Sequence, residues 1–231
     1  MWRSGAGAAI LLSLMLSVAG CKPESQTPPD LPSQGPGLPI GSGFDFYVLS
    51  LSWSPSYCEA EGEEANRQQC KSSRPYAFVV HGLWPQFERG YPDSCATDEP
   101  DVGNATLRTL YDIMPSAGLI RYQWRKHGSC SGLSQADYFS VLRAARERIA
   151  IPGQYVRLDD YLTADPDDVE TAFLAANRGL SSDEAAVICD RRYLREVRIC
   201  LTKELDFRAC PEVDRRACQR SKVVMPPVRG G

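Results

Sequence analysis

Phe78-Val79-Val80-His81-Gly82-Leu83-Trp84-Pro85 carries an apolar, β-branched run into a histidine and a tryptophan. Aromatic and branched side chains suit a pleated surface, so Tyr76 to Val80 reads as a buried strand ending at His81. A second stretch, Tyr122-Gln123-Trp124-Arg125-Lys126-His127-Gly128-Ser129-Cys130, holds the other histidine of a 231-residue chain that has only two. Read as a helix, it places Gln123, Lys126 and His127 at i, i+3 and i+4 on one face, while Trp124 points elsewhere and anchors the helix in the core. Histidine both gives and takes a proton near neutrality, so two of them on separate segments suggest one acid and one base. A phosphate under attack needs a base for the nucleophile and donors for its equatorial oxygens. The helix face offers an imidazole, a cation and an amide together. His81, reaching the same pocket from its strand end, could protonate the leaving oxygen.

Working outward, Phe46, Val48, Leu49, Leu51 and Trp53 form another apolar run, a buried strand with Trp53 in the core. Leu194 to Leu201 and Val223 to Met225 read as later strands. Asn104 suits the cap of a helix bearing Leu107, Leu110, Tyr111 and Met114; Asn104-Ala105-Thr106 is also formally a glycosylation sequon. Ser134 with Asp137 makes a capping pair for a helix with Tyr138, Leu142, Ala145 and Ile149 on one face. Val169 to Asn177 reads as a further short helix. Helices and strands mixed without regular alternation predict an α+β fold, a central antiparallel β-sheet packed with several helices.

The apolar content is that of a globular protein, which excludes whole-chain disorder. Met1-Trp2-Arg3 followed by the apolar stretch Ala8 to Val18 reads as an export signal, since a membrane span needs about 20 residues. Val18-Ala19-Gly20-Cys21 resembles a bacterial lipobox, with Cys21 lipidated; ordinary signal cleavage is the alternative. Lys22 to Gly43 holds six prolines and reads as a disordered tether spanning roughly 25 Å. The folded domain is then expected from Phe44 to residue 231. Of nine cysteines, Cys21 goes to lipid and eight remain, an even set that predicts four disulfides in an exported chain. Counting alone cannot pair them. A zinc site competes poorly, because no tight Cys-x2-Cys pair is present. The net charge of -3 gives no long-range attraction for a polyanion, yet Arg191 to Lys222 carries ten cations against five acids. That stretch reads either as a local basic surface or as a solvated face of mixed charge.

Both histidine segments resemble the active-site segments of the ribonuclease T2 family. The first matches across all eight residues; the second matches at Trp124, Lys126, His127, Gly128 and Cys130. The resemblance continues through Leu51-Ser52-Trp53-Ser54-Pro55-Ser56-Tyr57-Cys58 and Leu194-Arg195-Glu196-Val197-Arg198-Ile199-Cys200, covering the chain from about Phe44 onward. It implies that His127 is the general base on a ribose 2′-OH, His81 the general acid for the departing 5′-oxygen, and Lys126 the stabiliser of the phosphorane-like state. Trp84 would wall a base pocket, although it also reads as a packed aromatic. The implied product is a 2′,3′-cyclic phosphate, opened by water to a 3′-phosphate. The nucleophile belongs to the substrate, so the implied reaction needs no metal or cofactor and spares DNA. The implied disulfides are Cys58–Cys70, Cys95–Cys130, Cys189–Cys218 and Cys200–Cys210.

Three positions depart from the family pattern. Gln123 stands where many members carry Glu, Tyr122 where many carry His, and Gln86 where many carry Asp against the base. An amide exchanges no protons but can donate to a phosphoryl oxygen, and Tyr122 can offer its hydroxyl to phosphate. Loss of a carboxylate should leave Lys126 less neutralised and His127 less basic, moving the pH optimum downward. The leading expectation is an exported, monomeric endoribonuclease acting on single-stranded RNA, in the periplasm and lipid-anchored to the outer membrane. Gln123 leaves open an RNA- or nucleotide-binding module of the same fold; an unrelated envelope protein is a third reading.

Overall fold

The computed structural model describes residues 37–229. The expected signal peptide, Cys21 and most of the expected tether lie outside them. Gly37 to Gly43 runs against the domain: Leu38 packs on the core and the Ser42 amide donates to the Ser131 carbonyl at 2.9 Å. The chain is therefore held before Phe44.

In chain order the elements are β1 (Phe46–Trp53), α1 (Ser54–Glu61), α2 (Arg67–Cys70), β2 (Phe78–Gln86), α3 (Asn104–Leu110), α4 (Ala117–Lys126) and α5 (Gln135–Arg148). There follow α6 (Gly153–Val156), β3 (Leu162–Ala164), α7 (Pro166–Ala176), β4 (Ala185–Cys189), β5 (Leu194–Leu201), α8 (Pro211–Asp214) and β6 (Val223–Met225). A four-stranded sheet of order β2-β1-β5-β4 is antiparallel throughout, and β3 pairs with β6 in a small second sheet. The fold is α+β. No helix among the described residues is long and apolar enough to cross a membrane.

β1 is buried on both faces, which explains its near-continuous apolar sequence. Tyr47, Leu49, Leu51 and Trp53 enter the main core with α5 and α7, through Tyr138, Phe139, Leu142, Val169 and Phe173. Phe46 and Val48 face the other way, with Ala186, Cys200, Cys210 and Val213. The Trp53 indole donates to the Pro226 carbonyl at 3.1 Å, and the Tyr138 hydroxyl to the Leu83 carbonyl at 2.7 Å. Four disulfides close the domain in the pairs the resemblance implies: Cys58–Cys70, Cys95–Cys130, Cys189–Cys218 and Cys200–Cys210. They mark an exported protein.

Several local expectations change. β2 does not stop at His81 but runs on to Gln86, because β1 offers partners as far as Phe46. Asn104 is the first residue of α3, not its cap: Gly103 takes the cap, and the Asn104 side-chain Oδ1 accepts from Arg121 Nη2 at 3.3 Å. Ser134 does cap α5, accepting from the Asp137 amide at 3.2 Å. α7 starts earlier than Val169, where Asp165 caps it and Pro166 fits its first turn.

Candidate active site

His81 owes its presentation to a bulge. Ser50 pairs with Gly82 and Leu51 with Val80, so His81 is the extra residue of β2 with no partner on β1. A bulge resets the in–out alternation. Val80 and Leu83, three apart, both enter the main core, while His81 and Trp84, also three apart, come together on the opposite face with ring centroids 5.3 Å apart.

The same face of the sheet receives Glu196 and Arg198 from β5, both brought alongside by pairing with β1. Glu196 is buried, 8% exposed, and accepts from His81 Nδ1 at 2.6 Å through Oε1. Its Oε2 accepts from Arg198 Nε at 2.9 Å and Nη2 at 2.7 Å. Burial pushes this carboxyl up, but the hydrogen bonds and charges of His81 and Arg198 outweigh it and hold the group down at about 2. Glu196 stays ionised and fixes the His81 tautomer with its Nδ1 proton inward. The guanidinium of Arg198 lies 5.0 Å over the Trp84 ring.

α4 supplies the facing wall. Ser116 caps it by accepting from the Leu119 amide at 3.3 Å, and Ile120 and Trp124 anchor it in the core. Gln123 is 1% exposed, and its Oε1 accepts from the Trp84 indole at 2.7 Å. Gly82 allows this approach: a Cβ there would collide with both Gln123 Oε1 and Trp84 Nε1. The sequence suggested Gln123 as a free donor to phosphate; its carbonyl oxygen is instead committed to holding Trp84.

His127 terminates α4, its backbone amide donating to the Gln123 carbonyl at 2.9 Å. Its ring lies 5.4 Å from that of Trp84, so the indole neighbours both histidines. The ring is 8% exposed, and Nδ1 has no hydrogen-bond partner among the described residues. Burial, then the charge of Lys126, pushes His127 down to about 4 despite the opposing charge of Asp93. Lys126 Nζ lies 3.6 Å from Asp93 and 5.7 Å over the Tyr122 ring. The sequence reading, that Gln123 leaves Lys126 less neutralised, does not include Asp93. Asp93 supplies a neutralising carboxylate, on a loop that the Cys95–Cys130 bridge and the Ser94 amide, donating to the Lys126 carbonyl at 2.9 Å, pin beside α4.

A cavity of about 280 Å³ opens on these groups and gathers every site residue the sequence suggested: His81, Trp84, Gln86, Tyr122, Gln123, Lys126 and His127. Gln86 is half-buried, its amide donating to the Pro85 carbonyl at 2.8 Å. Tyr122 is well exposed at the rim. A second cavity, of about 250 Å³, lies past His81 and Glu196 and includes Ser52, Tyr57 and Arg195. Glu196 and Arg198 were missed as site residues. Their alternation in Leu194-Arg195-Glu196-Val197-Arg198 shows that they share a face, but only the strand order shows that His81 lies on it.

The model of the ribonuclease T2 family matches residues 44–210. The chain belongs to that family. A ribonuclease of Aeromonas hydrophila is 38% identical over 176 residues, which are 70% of this chain and 73% of that protein. Ribonuclease I of Escherichia coli is 24% identical, over 68% of this chain and 75% of its own length. Among solved structures, an RNase-related protein from Calystegia sepium superposes with TM-score 0.65 at 21% identity, over 81% of this chain and all of that one. RNase NT in complex with 5′-AMP gives 0.60 at 24%, over 80% of this chain and all of that one. This T2 family member is an RNA-cleaving enzyme.

Proposed function

We propose that the protein is an endoribonuclease that cleaves single-stranded RNA by attack of the ribose 2′-OH on the adjacent phosphorus. His127 takes the 2′-OH proton, the 2′-oxygen–phosphorus bond forms, and the bond to the 5′-oxygen breaks as His81 Nε2 delivers a proton to that oxygen. Water then opens the 2′,3′-cyclic phosphate with the two roles exchanged. Lys126 donates to the equatorial oxygens, and Tyr122 reaches the same anion from the rim. The nucleophile is the substrate's own hydroxyl, so the reaction needs no metal, and DNA, lacking it, does not react.

The observation that carries this reading is the unequal treatment of two imidazoles that share one indole neighbour. Paired groups whose environments push them apart divide into acid and base. His127 is buried beside a cation and stays neutral, as a base must. His81 has a carboxylate against Nδ1, which fixes the ring and leaves Nε2 to serve the leaving oxygen. Trp84 and Gln86 then wall the cavity that takes the nucleotide bearing the attacking hydroxyl, and the cavity past His81 takes its 3′ neighbour.

The test is cleavage of single-stranded RNA in excess EDTA by the domain from Gly37 onward, beside His127→Ala and His81→Ala. Each substitution should lower the rate by about 10²–10⁴-fold, the worth of one proton transfer. A cyclic phosphate should appear first, and a 2′-deoxy residue at the scissile position should block the reaction. Binding without cleavage would replace this reading with an RNA-holding module. We further propose that the chain is lipid-anchored to the outer membrane through Cys21. Labelling with a radioactive fatty acid, lost in Cys21→Ala, tests that.

A further inference from the structure

The first cavity continues past its rim. Arg216 lines it and also lines a shallow groove of about 680 Å³ whose other cations are Arg191 and Arg220. All three side chains are exposed. Their basic neighbours are engaged: Arg192 with Glu59 at 3.7 Å, Arg195 with Asp190 at 3.4 Å, and Arg215 with Glu212 at 3.8 Å. Arg191, Arg216 and Arg220 make no such ion pair among the described residues. Asp190 shares the groove, but its carboxylate accepts from the Arg192 and Tyr193 amides, both at 2.7 Å, as well as facing Arg195. The Cys189–Cys218 bridge lies in the groove wall and ties the segment bearing Arg191 to the one bearing Arg216 and Arg220. Three free guanidinium groups are thus set on a covalently fixed frame that opens into the catalytic cavity.

Guanidinium presents a planar fork of donors that matches phosphate oxygens, and a cationic groove suits the backbone of an unpaired strand. The direction follows from the cavity Arg216 belongs to. It lines the cavity that holds Trp84, His127 and one side of His81, and it does not line the second cavity past His81. His127 serves the 2′-OH of the nucleotide on the 5′ side of the scissile bond.

We propose that Arg191, Arg216 and Arg220 form a phosphate-binding groove that holds the RNA strand 5′ to the cleaved nucleotide. The proposal rests on the nuclease reading above. It makes the preferred substrate a strand extended upstream of the cut, bound by charge and without base selection.

Three substrates test it, each with a single ribonucleotide in a DNA context: a dinucleotide, the same extended by four deoxynucleotides on the 5′ side, and the same extended on the 3′ side. Values of kcat/KM are measured at 50 and 200 mM salt, for the unaltered protein and for Arg191→Gln/Arg220→Gln. The 5′ extension should raise kcat/KM, and the variant should lose that gain. Its log–log salt slope on the 5′-extended strand should flatten by about 1.4 units, about sevenfold across that salt range, for two lost contacts to a single strand. Arg191→Lys/Arg220→Lys should keep most of the slope. The proposal fails if the variant keeps the 5′ gain, or loses equally on both extensions. It fails also if the variant instead loses binding to phosphatidylglycerol vesicles with the 5′ gain intact, since the groove would then serve a lipid surface. An unaltered protein that cuts none of the three substrates removes the nuclease reading as well; one that cuts the dinucleotide but gains nothing from the 5′ extension removes this proposal alone.

Discussion

Substituting Gln123→Glu restores a carboxylate four residues before His127 and should move the acid limb of the pH–rate profile upward. Residues so spaced have Cβ atoms about 5–6 Å apart on a helix. A unit charge about 6 Å from the ring, at an effective dielectric constant of about 20, contributes about 3 kcal/mol, or about two pKa units. Lys126 and Asp93 already act on His127, so the net rise should be one to two units on that scale. His127 starts at about 4 and must be neutral to act as base. Raised to about 5.5, it would be mostly protonated at pH 4.5, and kcat/KM there would fall about eightfold relative to the unaltered protein, with little change at pH 7. Glutamate keeps an acceptor for the Trp84 indole, which is bonded to Gln123 Oε1 at 2.7 Å, so the ring should stay in place. Gln123→Leu is the control: it removes the acceptor without adding charge and should lower kcat with the limb unmoved. The measurement is kcat/KM on a dinucleotide from pH 3.5 to 8. A limb that stays or shifts down in Gln123→Glu would refute the electrostatic account of His127.

Glu196→Gln keeps the shape and removes the charge against His81. A hydrogen bond to a charged group contributes about 1.5–3 kcal/mol, so kcat should fall about 10- to 100-fold with KM little changed. A loss of thermal stability with kcat intact would leave Glu196 a purely structural group. Cys95→Ser/Cys130→Ser opens a loop of sequence separation 35, and calorimetry should show about 3–4 kcal/mol of lost stability. The same variant should lower kcat, because Asp93 and Lys126 lose their fixed spacing. Stability should fall toward acid in two windows. His127, depressed to about 4 from its ordinary value of 6.5, costs stability as pH drops between those values, and Glu196, held at about 2, adds a further loss as pH falls below its ordinary range toward 2. Glu170 acts at the other end: burial, then Asp214 and Asp167, raises it to about 7, so its contribution is lost as pH rises through 7. Glu170→Gln should therefore raise stability at pH 8 by on the order of 1 kcal/mol after allowing for solvent screening, and change it much less at pH 5.

The parts of the site legible in the sequence were those set by local geometry. Helical spacing alone brought Gln123, Lys126 and His127 to one wall, and the two histidine segments announced the pairing. What stayed hidden depends on registers between distant strands. The bulge at His81 exists only as a mismatch between β1 and β2, so β2 was expected to stop where it in fact changes parity. Glu196 lies 115 residues from His81 and meets it only because β5 pairs with the far edge of β1. Gln123 was read as a substrate contact because nothing local reveals that Gly82 leaves room for the Trp84 indole to reach it. β4, five residues at the sheet edge, is too short for periodicity to declare it.

The substitution at position 123 and the placement of Asp93 are best understood together. Were a carboxylate at 123, it would sit buried on the base's own helix face and bias His127 toward the charged ring. Here the acidic group stands one shell outward, 3.6 Å from Lys126 on a disulfide-pinned loop. It still opposes the cation's charge, yet burial and Lys126 together leave His127 neutral. Among the described residues, the only carboxylate in hydrogen-bonding contact with either ring is then Glu196, on the opposite histidine. Charge is so distributed that one imidazole is kept neutral and the other is held by an ionised carboxylate. On this reading, moving a carboxylate from 196 to 123 (Glu196→Gln with Gln123→Glu) should do more than combine two defects. It should take the orienting carboxylate from His81 and leave His127 mostly protonated at pH 4.5, where a base must be neutral. Activity at pH 4.5 should fall below the product of the two single losses, and an outcome equal to that product would mean that the two positions act independently.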